Sequence, residues 1–452
     1  MDRYLMHHLV EWKENVRRMP LILRGPRQVG KSHLVEQFGK IHFKQMVTVN
    51  FDLSPELKRC FVDFSPTAIL NQLELTLGVT IGTYADTLLF LDEIQECPQA
   101  IQALRYFKEQ LPDLPVIAAG SLLEFVINQA DFRMPVGRIQ YLYLRPLCFE
   151  EYLAARGFEK LAVFLREATI EEGIPEVIHQ RLTQLLQEYL IIGGMPAAIV
   201  EFMATNRFQM TQAVQAALLA TYRDDFGKYA KHTQHRYLQI LFAKAPGLVG
   251  EHFKFAKVDA ELRARELKPA LSLLEMAGLV RCIYRTNGAG LPLISTRDEL
   301  HYKLHFLDVG LMVKAAELPA ELLLRQDFFA INRGALMEQF VGQELVAHMP
   351  PDELGALYYW SREQKGSQAE VDYVMAANGT LIPIEVKAGR TGRLKSLHLF
   401  LQEKKLAYGV KVSLDPLALE GNILSVPAYM LQSLPRLVGK YSNIPVNGGH
   451  CS

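Results

Sequence analysis

Residues Gly25-Pro26-Arg27-Gln28-Val29-Gly30-Lys31-Ser32 fit the spacing G-x-x-x-x-G-K-[ST] at every fixed position. A polyphosphate needs a ring of backbone N–H donors, and glycines let the main chain wrap closely where a side chain would forbid it. Lys31 would reach the β and γ phosphates, and the Ser32 hydroxyl would ligate Mg²⁺. The nine residues Gly25, Pro26, Arg27, Gln28, Val29, Gly30, Lys31, Ser32 and His33 are therefore expected to contact a bound nucleotide. A glycine turn merely joining strand to helix would not need all of these positions. A second signal is Leu88-Leu89-Phe90-Leu91-Asp92-Glu93, an apolar run ending in two carboxylates. Packing alone does not put paired acids at the end of a core strand. Asp92 is expected to hold Mg²⁺ beside the loop, and Glu93 to polarise an attacking water as general base. The plain alternative is a solvated acidic loop. Together the two motifs imply hydrolysis of a nucleoside triphosphate.

Weaker candidates surround this pair. Ser121, after Gly120 at the end of another apolar run, suits a γ-phosphate sensor and equally a helix N-cap. Arg138 is a candidate arginine finger with Arg133 as its rival, and an ordinary surface arginine explains either. A finger acting in trans would require self-association. Far downstream, Glu370-Val371-Asp372-Tyr373-Val374 alternates like a strand, Asn378-Gly379 makes a tight turn, and Leu381 to Lys387 returns. Asp372 then faces Glu385 across a hairpin, and Glu385 and Lys387 share one strand face. This resembles the D-x(n)-E-x-K signature of restriction-endonuclease-like folds, whose carboxylates bind a divalent metal and orient water against a phosphodiester. Glu338, on an upstream helix, is the expected further ligand, with Glu344 in reserve. The alternative is a charged hairpin face with Lys387 paired to Glu385. Gly366, Ser367, Gly389 and Gly392 suggest flexible edges to the hairpin.

These residues need a frame. Leu21 to Leu23, Val47 to Phe51, Leu88 to Leu91, Val116 to Ala119 and Ile139 to Leu144 read as strands alternating with helical patterns, as in a parallel sheet covered by helices. Leu34, Val35 and Phe38 fall at helical spacing behind the loop, so Lys31 and Ser32 open a helix whose dipole faces the anion. Residues 182 to 229 are helical in pattern, interrupted at Gly193-Gly194-Met195-Pro196. Helices over Tyr237 to Ala245 and Arg263 to Met276 precede a strand at Arg281 to Arg285, with a turn at Gly288 to Pro292, which reads as a winged helix. Lys254 to Arg285 holds seven basic and four acidic residues, a modest bias compatible with DNA, with a protein partner, or with a solvated face.

Composition bounds the rest. A chain of 452 residues suggests two to four domains, and 49% apolar with 22% charged residues argues against a disordered or fibrous protein. Lys plus Arg equals Asp plus Glu at 49 each, so any nucleic-acid affinity must be local. Five cysteines without a C-x-x-C pair disfavour a disulfide framework and a zinc ribbon and fit a reducing compartment. The first residues mix His, Glu and Lys among apolar positions, unlike a secretion signal, and no run approaches the length that spans a bilayer. The expectation is a cytoplasmic protein without a membrane partner.

With Ala119-Gly120-Ser121, Gly137-Arg138, Leu144-Arg145-Pro146-Leu147, Phe149-Glu150-Glu151, Gly193 to Pro196, Leu307 to Leu311 and Glu370 to Lys387 added, the chain resembles a widespread prokaryotic family of uncharacterised AAA-type ATPases. That resemblance implies an AAA-like fold, ATP with Mg²⁺, and a C-terminal domain similar to restriction-endonuclease folds, without implying a substrate. The expected architecture is α/β: an AAA-type P-loop NTPase core with a parallel sheet over residues 1–155, a helical subdomain over 156–235, a winged-helix-like domain over 236–315, and an α/β PD-(D/E)XK-like domain over 316–452. Two readings of the C-terminal half compete. One is a nuclease-like domain that engages DNA and holds a second divalent metal. The other is a non-catalytic module in an ATP-switched signalling or scaffolding protein, with a protein partner at the winged-helix-like region and a homo-oligomer as a further option.

Overall fold

The computed structural model describes residues 1–127, 132, 137–229, 232–319, 333–362, 369–387 and 394–441. They fall into two compact units. The first comprises residues 1–146 with the short segments 276–279 and 349–354; the second comprises 147–275, 280–348 and 355–452.

The first unit is built on five parallel strands, β1 (Leu21–Arg24), β2 (Gln45–Asn50), β3 (Thr87–Asp92), β4 (Val116–Ala119) and β5 (Gln140–Tyr143), in the order β2-β3-β4-β1-β5. Every residue of β3 and β4 is buried, the continuous apolar pattern of a parallel sheet with both faces covered. The five strands read from the sequence are the ones observed. Because β4 pairs with β1 through Leu23 and Ala119, and with β3 through Leu91 and Ala118, three strand ends meet at one edge. The loop after β1, the acids ending β3 and Gly120-Ser121 after β4 therefore share that edge, where open α/β sheets bind ligands.

The second unit carries an eight-stranded mixed sheet: β6 (Val280–Thr286), β7 (Arg297–Phe306), β8 (Leu357–Ser361), β9 (Glu370–Ala377), β10 (Thr380–Val386), β11 (Gly409–Ser413), β12 (Ala418–Glu420) and β13 (Ile423–Pro427), ordered β12-β13-β11-β10-β9-β8-β6-β7. The hairpin expected as a wing exists, since β6 and β7 are antiparallel, but it is the margin of this sheet. Its strand β6 pairs in parallel with β8, so backbone groups that a free wing would leave open are satisfied by residues beyond position 316. A separate winged-helix domain over 236–315 is thus replaced by one sheet shared with the C-terminal segment. The turn at Asn378-Gly379 is as expected, with both residues at positive φ (50° and 73°).

The helical part of the second unit explains motifs that the sequence left without a purpose. The helix Glu176–Ile192 ends at Gly193, and the next begins at Pro196. A Cβ on Gly194 would lie 2.1 Å from the carbonyl oxygen of Leu147, and one on Gly310 would lie 2.4 Å from that of Ile192. Asp308 fills the notch, accepting the Gly194 N–H at 2.6 Å and capping the helix Val309–Ala315 through the Leu311 N–H at 3.0 Å. Gln343 donates to Tyr189 and Asp308, and Tyr189 donates to the Leu147 carbonyl. Gly193 to Pro196, Asp308 to Leu311 and Leu147 to Glu151 are therefore parts of one buried socket. Among the described residues no single helix is long and apolar enough to cross a membrane. The pair Glu176–Ile192 and Pro196–Thr205 qualifies by composition but is bent by 118°, and Leu186, Tyr189, Ile191, Ile192 and Ile199 are core residues.

Candidate functional site

β1 runs into a loop of unusual backbone. Gly25 (φ 137°), Gln28 (φ 66°) and Gly30 (φ 93°) all lie at positive φ. A Cβ on Gly25 would sit 2.1 Å from the Leu144 carbonyl oxygen, so only glycine passes there. The loop's underside is held by Arg3, whose guanidinium donates to the Val29 carbonyl at 3.0 Å and to the Arg145 carbonyl. Lys31 opens the helix Lys31–His42. Its ammonium is turned onto the Gly25 and Pro26 carbonyls at 2.9 and 2.8 Å. Burial, offset only in part by Glu93 and Asp92, lowers its pKa to about 8.

The Ser32 hydroxyl donates to Asp92 Oδ1 at 3.0 Å, and Asn50 donates to Asp92 Oδ2 at 3.1 Å. Burial raises the Asp92 carboxyl above the usual range, against the Ser32 hydrogen bond that lowers it. A hydroxyl and a carboxylate at this separation form a hard-oxygen pair suited to Mg²⁺. Glu93 sits at φ 49°, ψ 46°, a left-handed conformation costly for a side-chain-bearing residue and typical of sites that aim a group. Gln95 donates to Glu93 Oε2 at 2.6 Å, and a Cβ on Gly120 would meet the Gln95 amide oxygen at 2.5 Å. The glycine before Ser121 thus makes room for the residue that holds Glu93. Ser121 itself accepts a hydrogen bond from Arg27 at 3.1 Å.

The edge therefore gathers Gly25 to Ser32, Asp92, Glu93 and Ser121. His33, the last of the nine loop residues, is exposed. Arg138 is not brought there. It precedes β5, whose first residue pairs with the start of β1, so it lies at the opposite edge of the sheet, paired with Glu109 at 3.1 Å. Arg133 lies outside the described residues. Sequence reasoning missed Arg3, Asn50 and Gln95; a polar residue ending β2, and an amide two positions after Glu93, were the available signals.

In the second unit the four expected residues do converge. Asp372 and Glu385 stand one step beyond the paired Tyr373 and Ile384, and the Val386 N–H donates to Asp372 Oδ2 at 2.7 Å. Lys387 pairs with Glu385 at 2.5 Å, while Glu385 Oε2 is buried and accepts no hydrogen bond among the described residues. Glu338, on the helix Arg333–Ala347, joins from the side. The unforeseen member is Lys303 of β7, only 1% exposed, whose ammonium reaches Glu338 at 3.3 Å, Asp372 at 3.8 Å and, closer still, Glu370. Burial raises Glu338, Asp372 and Glu385; repulsion from Asp372 adds to the rise at Glu338 and Glu385 and repulsion from Glu370 to that at Asp372, while Lys303 opposes it at Glu338 and Asp372. Glu370 is lowered despite its burial, because His252 and Lys303 both donate to it. Gly366, Ser367, Gly389 and Gly392 lie outside the described residues.

Residues 17–153 match a family model described as an AAA domain. Residues 183–322 and 333–429 match two models described as domains of unknown function, DUF8612 and DUF4143. No curated protein matches the chain. Similar solved structures include the Walker-type ATPase PABY2304 of Pyrococcus abyssi, at 17% identity and TM-score 0.45, covering 70% of this chain and 95% of that one. They also include the Aeropyrum pernix ORC2 protein, at 14% identity and TM-score 0.33 over 71% and 89% of the two chains. AMPPCP-bound DnaA from Aquifex aeolicus follows at 14% and 0.27 over 60% and 78%. The parallel sheet, its glycine loop and the matched segment agree, and residues 17–153 are an AAA-type ATPase-like domain.

Proposed function

We propose that this chain is a Mg²⁺-dependent ATPase whose hydrolytic site is the C-terminal edge of the first sheet. The observation that carries the reading is the Ser32 hydroxyl bonded to Asp92 with Glu93 adjacent, all beside a loop that admits only glycine at position 25. The loop N–H groups and Lys31 would bind the triphosphate, Lys31 exchanging the Gly25 and Pro26 carbonyls for phosphate oxygens. Ser32 and Asp92 would hold magnesium, which would supply charge neutralisation at the triphosphate. Glu93, released by Gln95, would take the proton of the attacking water and so act as general base. Ser121, freed from Arg27, would contact the γ-phosphate. Arg138 would serve only another copy's nucleotide, since its own loop is at the far edge. Lys31→Ala is expected to abolish ATP binding in calorimetry, and Glu93→Gln to keep binding while stopping turnover; full turnover by Glu93→Gln refutes the assigned base.

A second reading concerns the C-terminal cluster. Convergence of Glu338, Asp372, Glu385 and Lys387, with a Glu385 oxygen that has no partner among the described residues, supports a divalent-metal site of nuclease type that engages DNA. The Lys303 ammonium among the same carboxylates favours the alternative, a non-catalytic module switched by ATP state. Incubation with plasmid and Mg²⁺ or Mn²⁺, beside Asp372→Ala and Lys387→Ala, separates them. Cleavage lost in both variants supports the nuclease. Its absence from the native chain, with ATP turnover unchanged by DNA, supports the module.

A further inference from the structure

The helix Arg333–Ala347 carries Glu344 and, one turn later, His348, whose N–H closes the helix on the Glu344 carbonyl at 3.1 Å. Their side chains meet the segment that begins the second unit. His348 Nε2 lies 3.5 Å from Glu344 Oε2, and Cys148 completes the group, with its sulfur, one carboxylate oxygen and one imidazole nitrogen all within 4.8 Å of each other. This is the one such Cys, His and carboxylate constellation among the described residues. Cys148 and Glu344 are 2% and 1% exposed, so neither carries ordinary surface polarity. Glu344, the reserve ligand for the nuclease-like site, belongs to this group and not to the Asp372 cluster.

We propose that Cys148, Glu344 and His348 form a binding site for a zinc-type transition-metal ion. Sulfur, imidazole nitrogen and carboxylate oxygen are the three donors that a tetrahedral Zn²⁺ accepts, whereas Mg²⁺ or Ca²⁺ would not choose a thiolate. With metal–ligand bonds of about 2.0 to 2.3 Å, a tetrahedron puts its donors about 3.3 to 3.6 Å apart, a span that the Glu344 and His348 atoms already meet. The Cys148 sulfur lies within 4.8 Å of both of these atoms. The second coordination layer is also in place. Glu344 Oε1 accepts the Phe149 N–H at 2.9 Å and leaves Oε2 for the ion. The Cys148 sulfur accepts the Glu151 backbone N–H while the Glu151 carboxylate takes the Cys148 N–H, fixing the cysteine from both sides. Binding converts the thiol to a thiolate and sends its proton to solvent, and neutral His348 contributes the Nε2 lone pair. One thiolate and one carboxylate cancel the ion's charge in a buried place. A nucleophilic Cys–His pair is disfavoured, because the sulfur is buried and already engaged by the backbone.

The test uses the full chain, freed of metal by a chelator and titrated with Co²⁺. One equivalent should produce tetrahedral d–d absorption together with a near-ultraviolet sulfur-to-cobalt charge-transfer band, and one equivalent of Zn²⁺ should remove both. Oxygen-only sites, including the one at Ser32 and Asp92, give no sulfur band. Cys148→Ser should abolish the charge-transfer band, and His348→Gln, at a partly exposed position, should weaken Co²⁺ affinity at least tenfold with an unchanged near-ultraviolet circular dichroism spectrum. Absence of the sulfur band from folded native chain overturns the site, as does a band that survives in Cys148→Ser. The outcome is independent of the ATPase reading, since ATP binding by the metal-free chain is measured separately.

Discussion

Replacing Lys303 by methionine preserves the length of the side chain and removes its charge from a group of carboxylates. At an effective dielectric constant of about 20, a unit pair 3.3 or 3.8 Å apart is worth about 4 to 5 kcal/mol, which sets the gross attraction of Lys303 for Glu338 and for Asp372. Desolvating an ammonium that is 1% exposed cancels part of this. What remains on substitution is the cost of leaving acids buried without a counter-charge, about 3 to 5 kcal/mol. The pH dependence separates this from simple loss of packing. The folded pKa of Lys303 is raised above its ordinary value, so its contribution is whole below that value and constant between pH 5.5 and 8. In the variant, Glu338 and Asp372, already raised by burial, lose the cation that opposes the shift. The folded variant then binds protons more tightly than the native fold does, and its deficit should shrink as pH falls from 8 to 5.5. Trp12 and Trp360 are the two tryptophans, and Trp360 is buried against Phe400 in the second unit. Urea unfolding followed by fluorescence in a Trp12→Phe background therefore reports this unit. An equal deficit at both pH values, or one below about 1 kcal/mol, would refute the electrostatic account.

Gly25→Ala should weaken ATP affinity by about a hundredfold or more, because the new methyl group meets the Leu144 carbonyl at 2.1 Å and the loop must move; retained affinity in calorimetry would contradict the loop geometry. ATP binding at pH 8 should take up about half a proton, since phosphate restores the Lys31 ammonium from a pKa of about 8, and calorimetry in buffers of different ionisation heat measures it. Lys31→Met should lack that uptake in whatever binding survives. Burial raises Asp308 to about 6, so its contribution is present below its unfolded pKa and fades as pH rises toward 6. Asp308→Asn should remove about 2 to 3 kcal/mol of stability change between pH 4 and 7, read from urea midpoints of the second unit.

The candidate site of the first unit was legible because its residues are contiguous: a loop, two acids, and strands apolar enough to count. What supports them was not. Arg3, Asn50 and Gln95 are single polar residues, informative only once β4 is seen to lie between β1 and β3. The Asp372 and Glu385 pairing followed from a hairpin with an unambiguous turn, a local inference. Lys303 escaped because it comes from β7, three strands from β9 in the sheet, and reaches the cluster past the Tyr359 ring. The wing was misread for a related reason: β6 and β7 are adjacent in sequence and do form a hairpin, but their partner β8 is supplied by residues some seventy positions on. Arg138 was read from its neighbours alone, and strand direction sets it at the edge opposite its own loop.

Leu147, Phe149, Tyr152 and Leu153 are buried in the socket built by Gly194, Tyr189 and Glu344, although they follow directly on the last strand of the ATPase-like domain. Anyone trimming the chain to isolate that core would reach naturally for a cut near residue 155, after the acidic pair. Such a fragment would carry four greasy side chains with nowhere to go and would be expected to aggregate, whereas a cut at residue 146 leaves them with their hosts. The same logic governs chimeras: a foreign nucleotide engine spliced in front of this body must be joined ahead of Leu147, with the plug left native.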